Sequence, residues 1–148
     1  MKKIFLFWGV VSILGLNASV QELKTKTEEF PAKEMKKQNA EIVRLSSEEI
    51  SKTLPQKVDK YTTLTKVVGE DTTLIYTFEI NTGSKSDETV QKEDKSRMQK
   101  AITTGVCQSA SKFLEAEVKI RYVYLSAKSK AELFHFDIAQ ADCPARVE

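Results

Sequence analysis

Residues 118–125 read Val-Lys-Ile-Arg-Tyr-Val-Tyr-Leu, and their alternation decides the fold class. Successive strand side chains point to opposite faces, so Val118, Ile120, Tyr122 and Tyr124 fall on one side and Lys119 and Arg121 on the other, as in a half-buried strand. A polar loop, Ser126 to Lys130, leads into a return strand from about Ala131 to Ile138. There Phe134, Phe136 and Ile138 share one face, and Leu133, His135 and Asp137 share the other. Two such runs across a short polar connection form a hairpin. Upstream the signature repeats: Thr62 to Val68 and Thr72 to Ile80 flank Gly69-Glu70-Asp71. Leu74, Tyr76, Phe78 and Ile80 line one face of the second run, against Ile75, Thr77 and Glu79.

Helical spacing fills the gaps between the hairpins. Met98, Ala101, Ile102, Gly105 and Val106 recur at intervals of three and four, with Lys95, Arg97, Gln99 and Lys100 on the opposite side and Cys107 at the end. The polar stretch from Asn81 to about Asp87 reads as a loop. Before the first hairpin, Leu45-Ser46-Ser47-Glu48-Glu49-Ile50 has the form of a capping box, with Ser46 as N-cap, Glu49 three residues on, and Leu45 and Ile50 as a hydrophobic staple. Ile50, Leu54 and Val58 continue that helix's stripe until Pro55 ends or kinks it. The order αββαββ predicts a two-layer α+β sandwich over residues 44–148, with two helices on one face of a four-stranded antiparallel sheet. Residues 19–43 are polar, with too few large apolar side chains to bury a face, and read as an N-terminal linker.

The start of the chain reads as an export signal. Lys2 and Lys3 precede an apolar run from Ile4 to Leu16, shorter than the roughly 20 residues a membrane span needs. Small and polar residues follow, which places cleavage between Ala18 and Ser19 and leaves no stable membrane span afterwards; Leu16, bulkier than the small residue a peptidase pocket accepts, keeps an uncleaved anchor as the alternative. Lys2 and Lys3 are the only charged residues in 1–18, so removal reduces the 23 basic side chains to 21, equal to the 21 acidic ones. A neutral mature chain excludes a charge-driven nucleic-acid partner. In an exported protein the two cysteines, Cys107 and Cys143, read as one structural disulfide. Closing a loop of that length contributes about 3–4 kcal/mol.

Chemistry is sparse. His135 is the single histidine, so it is the one imidazole available to a nucleophilic mechanism, and it sits on the strand face opposite the phenyl rings. With the thiols paired, a transition-metal site lacks ligands. Phosphate-cradling and nucleophile-elbow motifs are absent, and no cofactor is expected. Tyr122, Tyr124 and His135 are the candidate binding residues, because aromatic side chains on a strand can furnish a contact surface.

Leu54-Pro55 with Val58-Asp59, then Leu74-Ile75-Tyr76-Thr77-Phe78, Val106-Cys107, Val118 to Tyr124 and Asp142-Cys143 together resemble small exported bacterial proteins of unassigned function. In these a Cys pair links the second helix to the C-terminal end. The likeness spans residues 45–143; it implies a single domain and the Cys107–Cys143 bridge, and carries no activity. The expectation is a noncatalytic protein-binding module, periplasmic or secreted, whose partner is another envelope or secreted protein. Two alternatives stay open: an inhibitor or immunity-type protein that blocks a hydrolase or toxin, and a small-molecule carrier or hydrolase with a pocket between helices and sheet.

Overall fold

The computed structural model describes residues 17–145, and of residues 17–30 only the backbone. The expected signal segment lies largely outside these residues, and so do the side chains at its Ala18–Ser19 junction. The described residues fall into two units, one up to residue 34 and a second from residue 35. Helix α1, Asn17–Ser51, carries Pro31 within it and runs through both. Among the described residues no helix is long and apolar enough to cross a membrane.

Two expectations are corrected along α1. Residues 35–43, read as linker, are helical and belong to the second unit. Ser46 does not start a helix but lies inside one, and Leu45, assigned to a staple, is 51% exposed. The signal was missed because α1 buries a narrow stripe. Val43 and Ser47 are buried and Ile50 packs beside them, too few apolar positions for an amphipathic pattern. Good helix formers and local ion pairs sustain the rest: Arg44 reaches Glu41 at 2.6 Å and Glu48 at 2.5 Å. A capping box stops the backbone only where the preceding turn is not helical.

The sheet is built from β1 (Gln56–Lys57), β2 (Thr62–Glu70), β3 (Thr73–Ile80), β4 (Lys119–Ser126) and β5 (Glu132–Ile138), in that spatial order. β2–β3 and β4–β5 are the two expected antiparallel hairpins. Asp71 supplies the left-handed residue of the first turn, with φ 52°. The all-antiparallel, four-stranded expectation is corrected on two points. The two exposed residues of β1 form a fifth strand with no pattern of their own. β3 and β4 pair in parallel, because the chain between them returns to its starting end through helices α2 (Asp87–Lys92), α3 (Ser96–Ser109) and α4 (Ser111–Glu115). The fold remains α+β.

One sheet face carries the core. Leu74, Tyr76 and Phe78 stand beside Ile120, Tyr122 and Tyr124, which face Ile138, Phe136 and Phe134. Phe78 stacks on Tyr124 at 5.0 Å between ring centroids, and Tyr124 on Phe134 at 4.8 Å. Leu114 from α4, Val106 from α3 and Val43 from α1 close this cluster. Gly69 makes the close approach of α1 possible: a Cβ there would stand 2.7 Å from Val43 Cγ1 and 3.0 Å from the Val43 carbonyl oxygen. Of the stripe expected on α3, Val106 is buried and Met98 and Ile102 half-buried, while Ala101 and Gly105 face solvent.

Candidate functional site

The helical connection between β3 and β4 breaks at Glu93–Lys95, and side chains on either side of the break explain it. The Lys95 ammonium donates to the carbonyls of Val90 at 2.7 Å, Gln91 at 3.0 Å and Glu93 at 2.9 Å, satisfying the C-terminal end of α2. The Asp94 carboxylate accepts from the Ser96 amide at 3.0 Å and the Ser96 hydroxyl at 2.9 Å, so α3 starts in a new direction. These bonds hold the Asp94 carboxyl below its ordinary range. Ser86 caps α2 by accepting from the Thr89 amide at 3.3 Å.

The break leaves a groove of about 540 Å³ at one end of the sheet. Its apolar lining comes from four elements: Ile80 at the end of β3, Val90 on α2, Met98 on α3 and Phe134 on β5. The Lys95 ammonium lies 4.8 Å from the centre of the Phe134 ring, a cation–π contact that keeps the charge against an aromatic floor. Tyr61, 57% exposed, stands at the rim. Across from it, Lys85 pairs with Glu93 at 2.6 Å. The loop that forms the remaining wall turns at Gly83, whose φ of 63° suits glycine. The groove is shallow, lined mainly by apolar surface, and bordered by charges that already have partners. Such a surface suits an apolar side chain or segment offered by another molecule better than a reacting substrate.

The sequence-derived candidates lie elsewhere. Tyr124, 5% exposed, is a core residue, and Tyr122 is half-buried beside Tyr76 and Phe78. Neither tyrosine is presented on an open surface. Burial raises the hydroxyl pKa of Tyr122 and Tyr124 above the ordinary value, and that of Tyr76 to about 12. His135 is exposed on the opposite face of the sheet, its Nδ1 2.6 Å from a Glu132 carboxylate oxygen. Beside it Arg121 grips Asp137 at 2.5 and 3.1 Å, which holds the Asp137 carboxyl below its usual range. Among the described residues no three His, Cys, Asp or Glu side chains are placed to hold a metal ion.

Cys107 and Cys143 form a disulfide with Cα atoms 5.6 Å apart, tying α3 to the segment after β5. The groove residues themselves went unread in the sequence. Ile80, Met98 and Phe134 had been assigned to the core by their periodicity, and only their position at the ends of elements distinguishes them.

The architecture is an α+β sandwich with its helices on the aromatic face of a mixed sheet. The chain belongs to DUF8479, a domain of unknown function, whose family model matches residues 33–134. Solved structures share the fold. A Pseudomonas aeruginosa protein provisionally named as secreted superposes with a TM-score of 0.65 at 12% identity, over 74% of this chain and 96% of that one. The type 2 secretion system pilotin EpsS of Vibrio vulnificus gives 0.62 at 11% identity, over 76% and 98%. The type II secretion system pilotin AspS of Vibrio cholerae gives 0.59 at 12%, over 76% and 98%. At such identities the likeness establishes the fold. No curated protein matches the sequence.

Proposed function

We propose that this protein is exported to the periplasm or secreted and works without catalysis, by holding an apolar segment of another envelope or secreted protein in the groove formed by Ile80, Val90, Met98 and Phe134. The observation that carries this reading is the groove itself: an aromatic and aliphatic floor left open where two helices diverge, rimmed by an exposed tyrosine. Three further features support it. The opening residues have the form of an export signal; the paired cysteines suit an oxidising compartment; and the fold is shared with pilotins of type II secretion systems, which favours a partner from a secretion assembly. Its single histidine lies on the far side of the sheet, away from the groove.

The test is capture of partners from envelope extract by the oxidised protein and by its Met98→Glu variant. Met98 is half-buried at the groove and packs against the core, so a carboxylate there disturbs the apolar floor, and circular dichroism of the variant checks that the fold is kept. The partner recovered with the parent protein is expected to be lost with the variant. Equal recovery by both proteins would move the binding surface away from the groove.

A further inference from the structure

The chain leaves the sheet at Ile138, 1% exposed, and turns through a 3₁₀ segment, Gln140–Asp142, to Cys143. Hydrogen bonds described for this turn close within it: the Ala139 amide donates to Asp142 Oδ2 at 2.8 Å, the Asp142 amide to the Ala139 carbonyl at 3.0 Å, and the Cys143 amide to the Gln140 carbonyl at 3.1 Å. Its covalent tie to the helical layer is the bond from Cys143 to Cys107 on α3. Both cysteines are half-buried rather than sealed in the core. Solvent-filled clefts flank the segment on each side. One, of about 640 Å³, is lined by Thr104, Gln108 and Ser111; the other, of about 630 Å³, by Ser96, Gln99 and Thr103. Cys143 and Pro144 of the segment, with Thr104 of α3, belong to the lining of both.

We propose that the Cys107–Cys143 disulfide is the catch of a releasable strap: a dithiol of the thiol–disulfide oxidoreductase class reduces it, frees the segment after Ile138, and joins the two clefts into one surface along α3. A thiolate of the dithiol attacks one sulfur of the bridge, the S–S bond breaks, and a mixed disulfide forms. The second thiol then attacks that mixed disulfide and displaces the protein sulfur. The dithiol ends oxidised to a disulfide, and its two protons end on Cys107 and Cys143. The sheet has a core of its own beside the catch. Ile138, Phe136 and Ile120 sit in the main hydrophobic cluster, so release stops at the end of β5. The exposed surface then presents Gln99, Thr103, Gln108 and Ser111 together with the charged Lys100 and Glu115, a face unlike the apolar groove.

Hydrogen exchange on the full oxidised chain tests this, read before and after native-state treatment with dithiothreitol, with alkylation counting the thiols released. Two thiols are expected without denaturant. Exchange at the hydrogen-bonded amides of Ala139, Asp142 and Cys143 should accelerate by about tenfold or more, under conditions where strands β3 and β4 remain the most slowly exchanging part of the chain. A bridge that resists the reagent until the protein unfolds, sheet amides that open together with the tail, or a tail that keeps its protection would each overturn the strap. The Cys107→Ser/Cys143→Ser variant should reproduce the local pattern, and its failure to fold would show a structural staple instead.

Discussion

On the helix-covered side of the sheet, Phe78, Tyr124 and Phe134 lie ring against ring at 5.0 and 4.8 Å, whereas the other side of β4 and β5 carries Arg121, His135 and Asp137. Both faces come from one alternating sequence, and the structure uses them differently. The covered face supplies cohesion and, where the helices part, ends in an apolar groove. The open face is charged at Arg121, His135 and Asp137, which pair among themselves and with Glu132, and half-buried at Ile75 and Val123. A sheet with one solvated face asks nothing of that face beyond solubility, so its ion pairs are exchangeable while its rings are not.

The sharpest test of that contrast is a pair of truncations. Phe78→Ala, at a buried ring, is expected to lower the unfolding free energy in urea by about 3–5 kcal/mol. Arg121→Ala, which breaks the ion pair with Asp137, is expected to cost less than about 1 kcal/mol. Similar losses from the two variants would erase the distinction between the faces. Next in size is Gly69→Val. The added branches meet Val43 on α1, and a loss of about 1–3 kcal/mol is expected in the same assay. No loss would mean that α1 yields at that contact.

The smallest effects separate the faces by pH. On the covered face Tyr76 is raised from 10.0 to about 12. An acid whose folded pKa is raised contributes stability below its unfolded value and loses it as pH climbs through the folded one. Stability should therefore fall between pH 10 and 12, and Tyr76→Phe should lessen that fall, with Tyr122 and Tyr124 carrying the remainder. Asp137 on the open face is lowered, first by its hydrogen bond from Arg121. Its contribution is present above the ordinary aspartate range and is lost as pH falls through the lower folded value. Asp137→Asn should leave the alkaline limb alone and soften the acid one slightly.

Hairpins and α3 were legible because their signals are local. Period-two alternation in Leu74–Ile80 and Val118–Tyr124 names a face without reference to the rest of the chain. The disulfide followed from the parity of the cysteines and the reading of residues 1–18. What stayed hidden depends on contacts distant in sequence. The seat of α1 on the sheet rests on Val43 meeting Gly69. The parallel junction rests on a crossover whose helices leave no mark on the strands they connect. The groove rests on Lys95 and Asp94 acting in opposite directions one residue apart. Tyr122 and Tyr124 were singled out because aromatic residues can bind. Their alternation already placed them with Ile120, on what proved to be the covered face.

The groove as the seat of a partner is tested most directly by a photo-crosslinking amino acid placed in living cells at Tyr61 on its rim and, in a second strain, at His135 on the open face. The expected result is a discrete adduct from position 61, removed by Met98→Glu, and none from position 135. A discrete adduct from position 135 with none from position 61 would contradict the groove and put the interface on the charged face.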